Sequence, residues 1–301
     1  RPKNYHGKVL EKITFRQAIE KSVNTATIRK AQEVGINKVA KIAKQFGVFD
    51  GMPEFMSYAL GAGETTLLKL TAAYAMFGNG GKRISPTLVD YIQDKHGGVI
   101  FKIDERLVDE NIGFDADLPP KLNDNRQQIL SEQSVYQLTS LLEGVMQRGS
   151  GASANFLNIP IAGKTGTSND SKDTWFIGYT PDIAVGIFVG FDDYSKSLGE
   201  NANGANTALP IFIDFMKEVK KYFTPKPFRV PKGINLRKVD ATTGEAPNEN
   251  SQAIITEAFK EDEYIESSTI INEKSGIAGL LKQEKDDNQP DDDIKPVFGI
   301  Y

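Results

Sequence analysis

Three short β-rich runs lie almost end to end in this chain: Ile159 to Thr167, Thr174 to Tyr179 and Ile183 to Phe191. The links between them are Ser168-Asn169-Asp170-Ser171 and Thr180-Pro181-Asp182. Parallel strands of one sheet need a crossover of about a dozen residues or more. These links are far shorter, so the spacing predicts antiparallel neighbours.

Helical periodicity brackets the strands. Thr14 and Gln17 form a capping-box pattern. Phe15, Ala18, Ile19, Val23, Ala26 and Ala31 follow at roughly helical spacing as far as Gly35, which suits a C-terminal cap. Asn37 is expected to open a second helix, ending at Gly47. A third is expected over Thr65 to Phe77, before Gly78-Asn79-Gly80-Gly81. Leu88 to Gln93 and Val99 to Ile103 read as a hairpin. An irregular stretch from about Asp104 to Arg126 follows. Val135, Leu138, Leu141, Leu142, Val145 and Met146 then keep an i, i+3, i+4, i+7 rhythm up to Gly149. A last helix is expected from Ala208 to Tyr222, and a short strand from Ile234 to Val239.

The chain has 301 residues, no cysteine, two histidines (His6 and His96) and a net charge of −4. The missing cysteines exclude thiolate metal sites, disulfide scaffolds and cysteine nucleophiles. No basic excess points to nucleic acid, and no metal or cofactor is expected. Thr224-Pro225-Lys226-Pro227 marks the expected end of the main domain, over 1–223. Residues 224–281 read as a C-terminal extension. Residues 282–301 read as an acidic, solvated tail, with six acidic and three basic residues between Lys282 and Lys295. The chain begins Arg1-Pro2-Lys3-Asn4 with no initiator methionine and no apolar leader, which is expected of a fragment or a processed piece.

Two short patterns can carry chemistry. Gly163-Lys164-Thr165-Gly166-Thr167 lies on a predicted strand. Lys164 supplies a cation, Thr165 and Thr167 share one face, and Gly166 leaves the backbone open to a ligand. Such an edge can pair with an extended peptide while lysine and threonines hold a carboxylate. It can equally be an ordinary edge strand protected by a lysine. A phosphate-binding loop is excluded, because Asn158 stands where its first glycine must be. The second pattern is Ser22-Val23-Asn24. Spacing i, i+2 does not share a helix face, so Ser22 and Asn24 enter one cleft only at a helix break. Otherwise they are exposed polar residues.

Together, Ser22-x-Asn24 and Lys164-Thr165-Gly166-Thr167 resemble the second and third motifs of penicillin-recognising serine enzymes. Further blocks resemble the transpeptidase domain of class A penicillin-binding proteins. They are Pro2 to Lys8, Leu60-Gly61-Ala62-Gly63-Glu64, Ala72 to Gly81, Arg148-Gly149-Ser150-Gly151, Asp173 to Pro181 and Leu209 to Met216. The resemblance covers roughly residues 1–260. It implies an α+β fold, with an antiparallel sheet of about five strands flanked by helices. The Lys164 strand is expected to edge a cleft, with Ser22 facing it from a helical lobe.

It also implies D,D-transpeptidation, cross-linking peptidoglycan stem peptides by serine acyl transfer. By position Ser22 relays a proton to the leaving amine, Asn24 binds the substrate amide, and Lys164 supplies positive potential. Thr165 and Thr167 bind the terminal carboxylate around Gly166, and the Thr167 N–H is half of an oxyanion hole. Stem peptides ending in D-Ala-D-Ala and β-lactams are the implied partners, on the extracytoplasmic side of the inner membrane. A glycosyltransferase domain and membrane anchor are expected only in the parent protein. One departure stands out: no serine is followed by lysine three residues on. The family's nucleophile motif, Ser-x-x-Lys, lies upstream of the Pro2 block, so it is expected before Arg1. This chain alone is then expected to be catalytically incomplete. The alternatives are a non-catalytic scaffold or peptidoglycan-binding module with a degraded site and, further off, a D,D-carboxypeptidase or β-lactamase.

Overall fold

The structure, a computed structural model, describes residues 13–103 and 124–261. The Pro2 to Lys8 block, most of the irregular stretch after Asp104 and the acidic tail lie outside the described residues.

Six α-helices order the described chain: α1 (Phe15–Glu20), α2 (Asn24–Val34), α3 (Ile36–Gln45), α4 (Leu67–Gly78), α5 (Glu132–Arg148) and α6 (Ala208–Val219). The expected capping box is present: Thr14 Oγ1 accepts from the Gln17 N–H, and Gln17 Oε1 accepts from the Thr14 N–H. The helix it starts does not run on to Gly35. It stops at Glu20 and restarts at Asn24, because Ser22 takes a left-handed backbone with φ 54°. The second helix opens at Ile36 rather than Asn37. Gly35, at φ 94°, closes α2 and begins α3 in a single residue.

The three strand runs form one antiparallel sheet of β3 (Ala162–Thr167), β4 (Asp173–Tyr179) and β5 (Ala184–Gly190), in that order. The expectation of about five strands is corrected: the central sheet has three among the described residues. The other strands pair off separately, as β1 (Tyr91–Gln93) with β2 (Val99–Lys102) and β6 (Ile234–Asp240) with β7 (Ile254–Lys260). The β1–β2 hairpin buries neither face. The second hairpin packs on α5 through β7, where Gln137 Nε2 donates to the Ala258 carbonyl, rather than extending the sheet edge. Strand β7 was not anticipated from the sequence.

Alternation along β4 divides the core in two. Phe176 points to α6 and meets Phe212 with ring centroids 4.7 Å apart, in a cluster with Leu209, Met216 and Leu157. Tyr179 points the other way, toward α4 and α5, where its hydroxyl bonds Thr139 at 2.9 Å beside Tyr74 and Phe77. A Cβ on Gly186 would fall 2.1 Å from Thr71 Oγ1, so this glycine lets α4 lie against β5.

A buried guanidinium joins α1, α5 and β7. Arg16 pairs with Glu257 through both Nε and Nη2, reaches Glu20 at 3.4 Å, and donates to the Ser140 carbonyl at 3.0 Å and the Ser140 hydroxyl at 2.9 Å. Burial opposes its charge, but Glu257 and Glu20 outweigh that and raise its pKa above the ordinary value. Glu20 in turn binds Arg148 at 2.6 Å. Removing one partner of a buried pair leaves the other uncompensated, at a cost of about 3–5 kcal/mol. Arg16→Ala should lose stability of that order in urea unfolding. Arg16→Met combined with Glu257→Leu should recover most of it, and an unchanged midpoint for Arg16→Ala would sink this account.

Candidate active site

The break between α1 and α2 presents Ser22. The Ser22 N–H still bonds the Ile19 carbonyl at 3.1 Å, and the Val23 N–H bonds the Ala18 carbonyl at 2.8 Å. Val23 is buried, so the kink is anchored from below while Ser22 stays exposed. A serine with positive φ is strained, and such strain is held where surrounding structure over-determines it. Asn24 stands two residues on, half-buried, as the first residue of α2.

Strand β3 presents the second pattern from the sheet edge. Lys164 pairs across the sheet with Ile177 and then Gly186, on the face covered by α4 and α5. Thr165 pairs with Phe176, on the face of α6. Lys164 therefore points toward the helical lobe, and its Nζ donates to Ser22 Oγ at 2.8 Å. It also donates to the Thr165 carbonyl at 3.2 Å. Burial lowers the Lys164 pKa to about 8. Gly166 pairs with Trp175, and a Cβ there would fall 3.2 Å from the Trp175 Cβ.

The threonine hydroxyls are held by residues that the motif patterns did not include. Thr165 Oγ1 lies 2.7 Å from Ser150 Oγ. Thr167 Oγ1 accepts from the Gly204 N–H at 3.1 Å. Gly204 is buried against β3, and a Cβ on it would fall 2.7 Å from the Gly166 carbonyl oxygen. Ser150 belongs to a block that was noted in the sequence without a role. Gly204 sits in the irregular Asn203-Gly204-Ala205-Asn206 turn, which carries no periodic signal.

The end of α5 ties these parts together. After Arg148 the chain rounds the edge of β3 to a 3₁₀ turn, Ala152–Leu157, whose Leu157 joins the α6 cluster. On the way the Ser150 N–H donates to the Glu20 carbonyl at 3.2 Å. Gly149 lies so close that a Cβ would be 2.2 Å from that same oxygen. The Ser22 turn, the Ser150 turn and β3 thus meet at one corner.

Chemically, the corner offers a cation, hydroxyls and a strand edge. The Lys164 ammonium donates to Ser22 Oγ, which leaves the Ser22 proton free for another acceptor. Among the described residues, no group of three or more His, Asp and Glu side chains stands at metal-binding spacing, and no helix is long and apolar enough to cross a membrane. A cavity of about 300 Å³ opens elsewhere, between the end of α4 and the start of α5, lined by Phe77, Lys82, Tyr136 and Phe228. None of the site residues expected from the sequence lines it.

Comparison with known proteins gives a consistent picture. Residues 2–217 match the penicillin binding protein transpeptidase domain family. Penicillin-binding protein 1A of Rickettsia bellii is 44% identical over 298 residues, which are 96% of this chain and 37% of that protein. Penicillin-binding protein 1A of Neisseria gonorrhoeae is 33% identical over 235 residues, 77% of this chain and 28% of that protein. The chain spans 37% and 28% of the length of these two curated relatives. Among solved structures, penicillin-binding protein 1A from Haemophilus influenzae superposes with a TM-score of 0.72 at 25% identity, over 86% of this chain and 42% of that one. PonA1 of Mycobacterium tuberculosis, solved in complex with penicillin V, shares the fold at TM-score 0.60 and 21% identity, over 76% of this chain and 62% of that one. The sheet, the flanking helices, the ordered motif blocks and these likenesses agree: the chain belongs to the penicillin-binding protein transpeptidase domain family.

Proposed function

We propose that this chain forms two walls of the cleft of a peptidoglycan D,D-transpeptidase. Lys164 and Ser22 work there as a proton-relay pair, and the β3 edge receives the substrate. The carrying observation is the 2.8 Å hydrogen bond from Lys164 Nζ to Ser22 Oγ, made between residues 142 positions apart in the chain. Both chain segments are built to make it: Ser22 by a strained turn, Lys164 by its place on the inner face of an edge strand.

In the reaction a serine attacks the penultimate D-Ala carbonyl, the amide bond breaks, and the terminal D-Ala leaves with a proton on its nitrogen. Ser22 delivers that proton. The Lys164 cation stabilises the charge that develops, and Thr165 and Thr167 hold the terminal carboxylate. Asn24 binds the substrate amide. The Thr167 N–H donates to the oxyanion, a contact typically worth about 2.7–4 kcal/mol. The attacking serine and its lysine are not among these 301 residues, since no serine has lysine three positions on. Serine needs an adjacent base to become nucleophilic, so they come from a Ser-x-x-Lys segment outside this sequence. The parent protein then works on the extracytoplasmic side of the membrane, with a glycosyltransferase domain upstream.

Labelling with a fluorescent penicillin tests this reading. Residues 1–301 alone should form no covalent adduct, and the same chain extended upstream through a Ser-x-x-Lys segment should. Covalent labelling of the short chain overturns the location of the nucleophile. No labelling of the extended chain overturns the transpeptidase reading in favour of a scaffold. In the extended chain Ser22→Ala should slow acylation by about 10²–10⁴-fold, the usual worth of a positioned proton donor.

The Lys164 charge gives a second test, on stability. Its pKa is about 8 folded against an ordinary 10.5. Below pH 8 both states are protonated. Between pH 8 and 10.5 the unfolded chain holds more protons at this group, so its contribution to stability rises with pH there. Urea unfolding at several pH values should show that rise in the wild type relative to Lys164→Met. Parallel curves for the two proteins would contradict it.

A further inference from the structure

Ser150 is the residue at this corner that no motif explains. Its hydroxyl lies 2.7 Å from Thr165 Oγ1. Each hydroxyl carries one proton and two acceptor sites, so one bond between them consumes one proton and leaves the other to spend. If Thr165 is to donate to an anion, it must be the acceptor in its bond with Ser150. Ser150 is placed to enforce that. It is held by its own backbone, whose N–H donates to the Glu20 carbonyl at 3.2 Å, and it is flanked by Gly149 and Gly151. Glu20 is itself fixed by Arg16 and Arg148.

We propose that Ser150 is a positioning residue for anion recognition: it donates to Thr165 Oγ1 and so aims the Thr165 proton at the carboxylate of a ligand lying along β3. This rests on the reading of β3 as the carboxylate-binding edge, and deepens it by naming what sets ligand charge preference. The same residue ties two functions of the corner. Its side chain meets the carboxylate-binding threonine, and its backbone meets the residue two positions before Ser22. Loss of the Ser150 hydroxyl frees Thr165 to rotate, which weakens the hold on an anion and leaves neutral contacts along the strand as they were.

The test needs no nucleophile and uses the chain as it stands. N-acetyl-D-Ala-D-Ala and its C-terminal amide are titrated into residues 1–301 and followed by amide NMR shifts at Thr165 and Thr167. The unaltered chain should bind the carboxylate form more tightly than the amide. Ser150→Ala should weaken carboxylate binding about tenfold, the scale of a hydrogen bond to a charged group, and leave amide binding unchanged. Ser150→Thr, which keeps the hydroxyl, should restore the preference. If Ser150→Ala weakens both peptides equally, or neither, the inference is overturned while the substrate reading stands. If the unaltered chain binds neither peptide, the substrate reading falls and the inference falls with it.

Discussion

The Arg16 guanidinium is the contact on which the rest of the arrangement leans. It sits where α1, α5 and β7 meet, and its donors are spent on Glu20, Glu257 and both oxygens of Ser140. A buried cation is costly unless paired and hydrogen-bonded, so these three elements hold one mutual position. Glu20 is the last residue of α1. Holding its carboxylate from two sides, with Arg16 and Arg148, sets where the helix ends and therefore where the Ser22 turn begins. Gly144 makes room for this, since a Cβ there would lie 2.0 Å from Glu20 Oε1.

From that fixed end the site assembles with little freedom. Ser22 must take positive φ for the chain to restart as α2, and Val23 pins the turn into the core. Opposite, the strand alternation of β3 sends Lys164 toward Ser22 and sends Thr165 toward the α6 face. The α5 chain end rounds the β3 edge between them, so one short turn, Gly149-Ser150-Gly151, touches both sides. Burial holds the Lys164 pKa down to about 8, which still leaves it charged at neutral pH.

Much of this was legible in the residues. The capping box at Thr14, helices α4 and α5 and the three antiparallel strands came from local signals that the fold kept. The Lys164 and Ser22 motifs were legible as motifs. From the residues alone their meeting was legible only as a condition, that Ser22 and Asn24 share a cleft at a helix break; that Ser22 faces the Lys164 strand came from the family resemblance. The break itself had no local signature: Phe15 to Ala31 reads as one periodic helix, and what holds the left-handed Ser22 turn is tertiary, with Glu20 bound by Arg148 and Val23 buried in the core. Strand β7 was missed for the same reason, because its pairing with β6 and its packing against α5 are decided at long range, whereas the β1–β2 hairpin was legible as two short runs around a turn. Ser150 and Gly204 were not foreseen as site residues, since a single small residue in a turn has no periodicity to betray it.

By itself the sequence determined the family, through ordered motif blocks, and the antiparallel sense of the central sheet, through links too short for a crossover. It also excluded thiolate chemistry, since there is no cysteine. Tertiary structure alone decided that Lys164 and Ser22 touch, that Thr165 bonds Ser150 and Thr167 bonds Gly204, and that the β6–β7 hairpin packs on α5 and is tied to α1 through Arg16 and Glu257. The physical reason is that local propensity sets what each segment is, while burial of one charge and the sidedness of one strand set which segments meet.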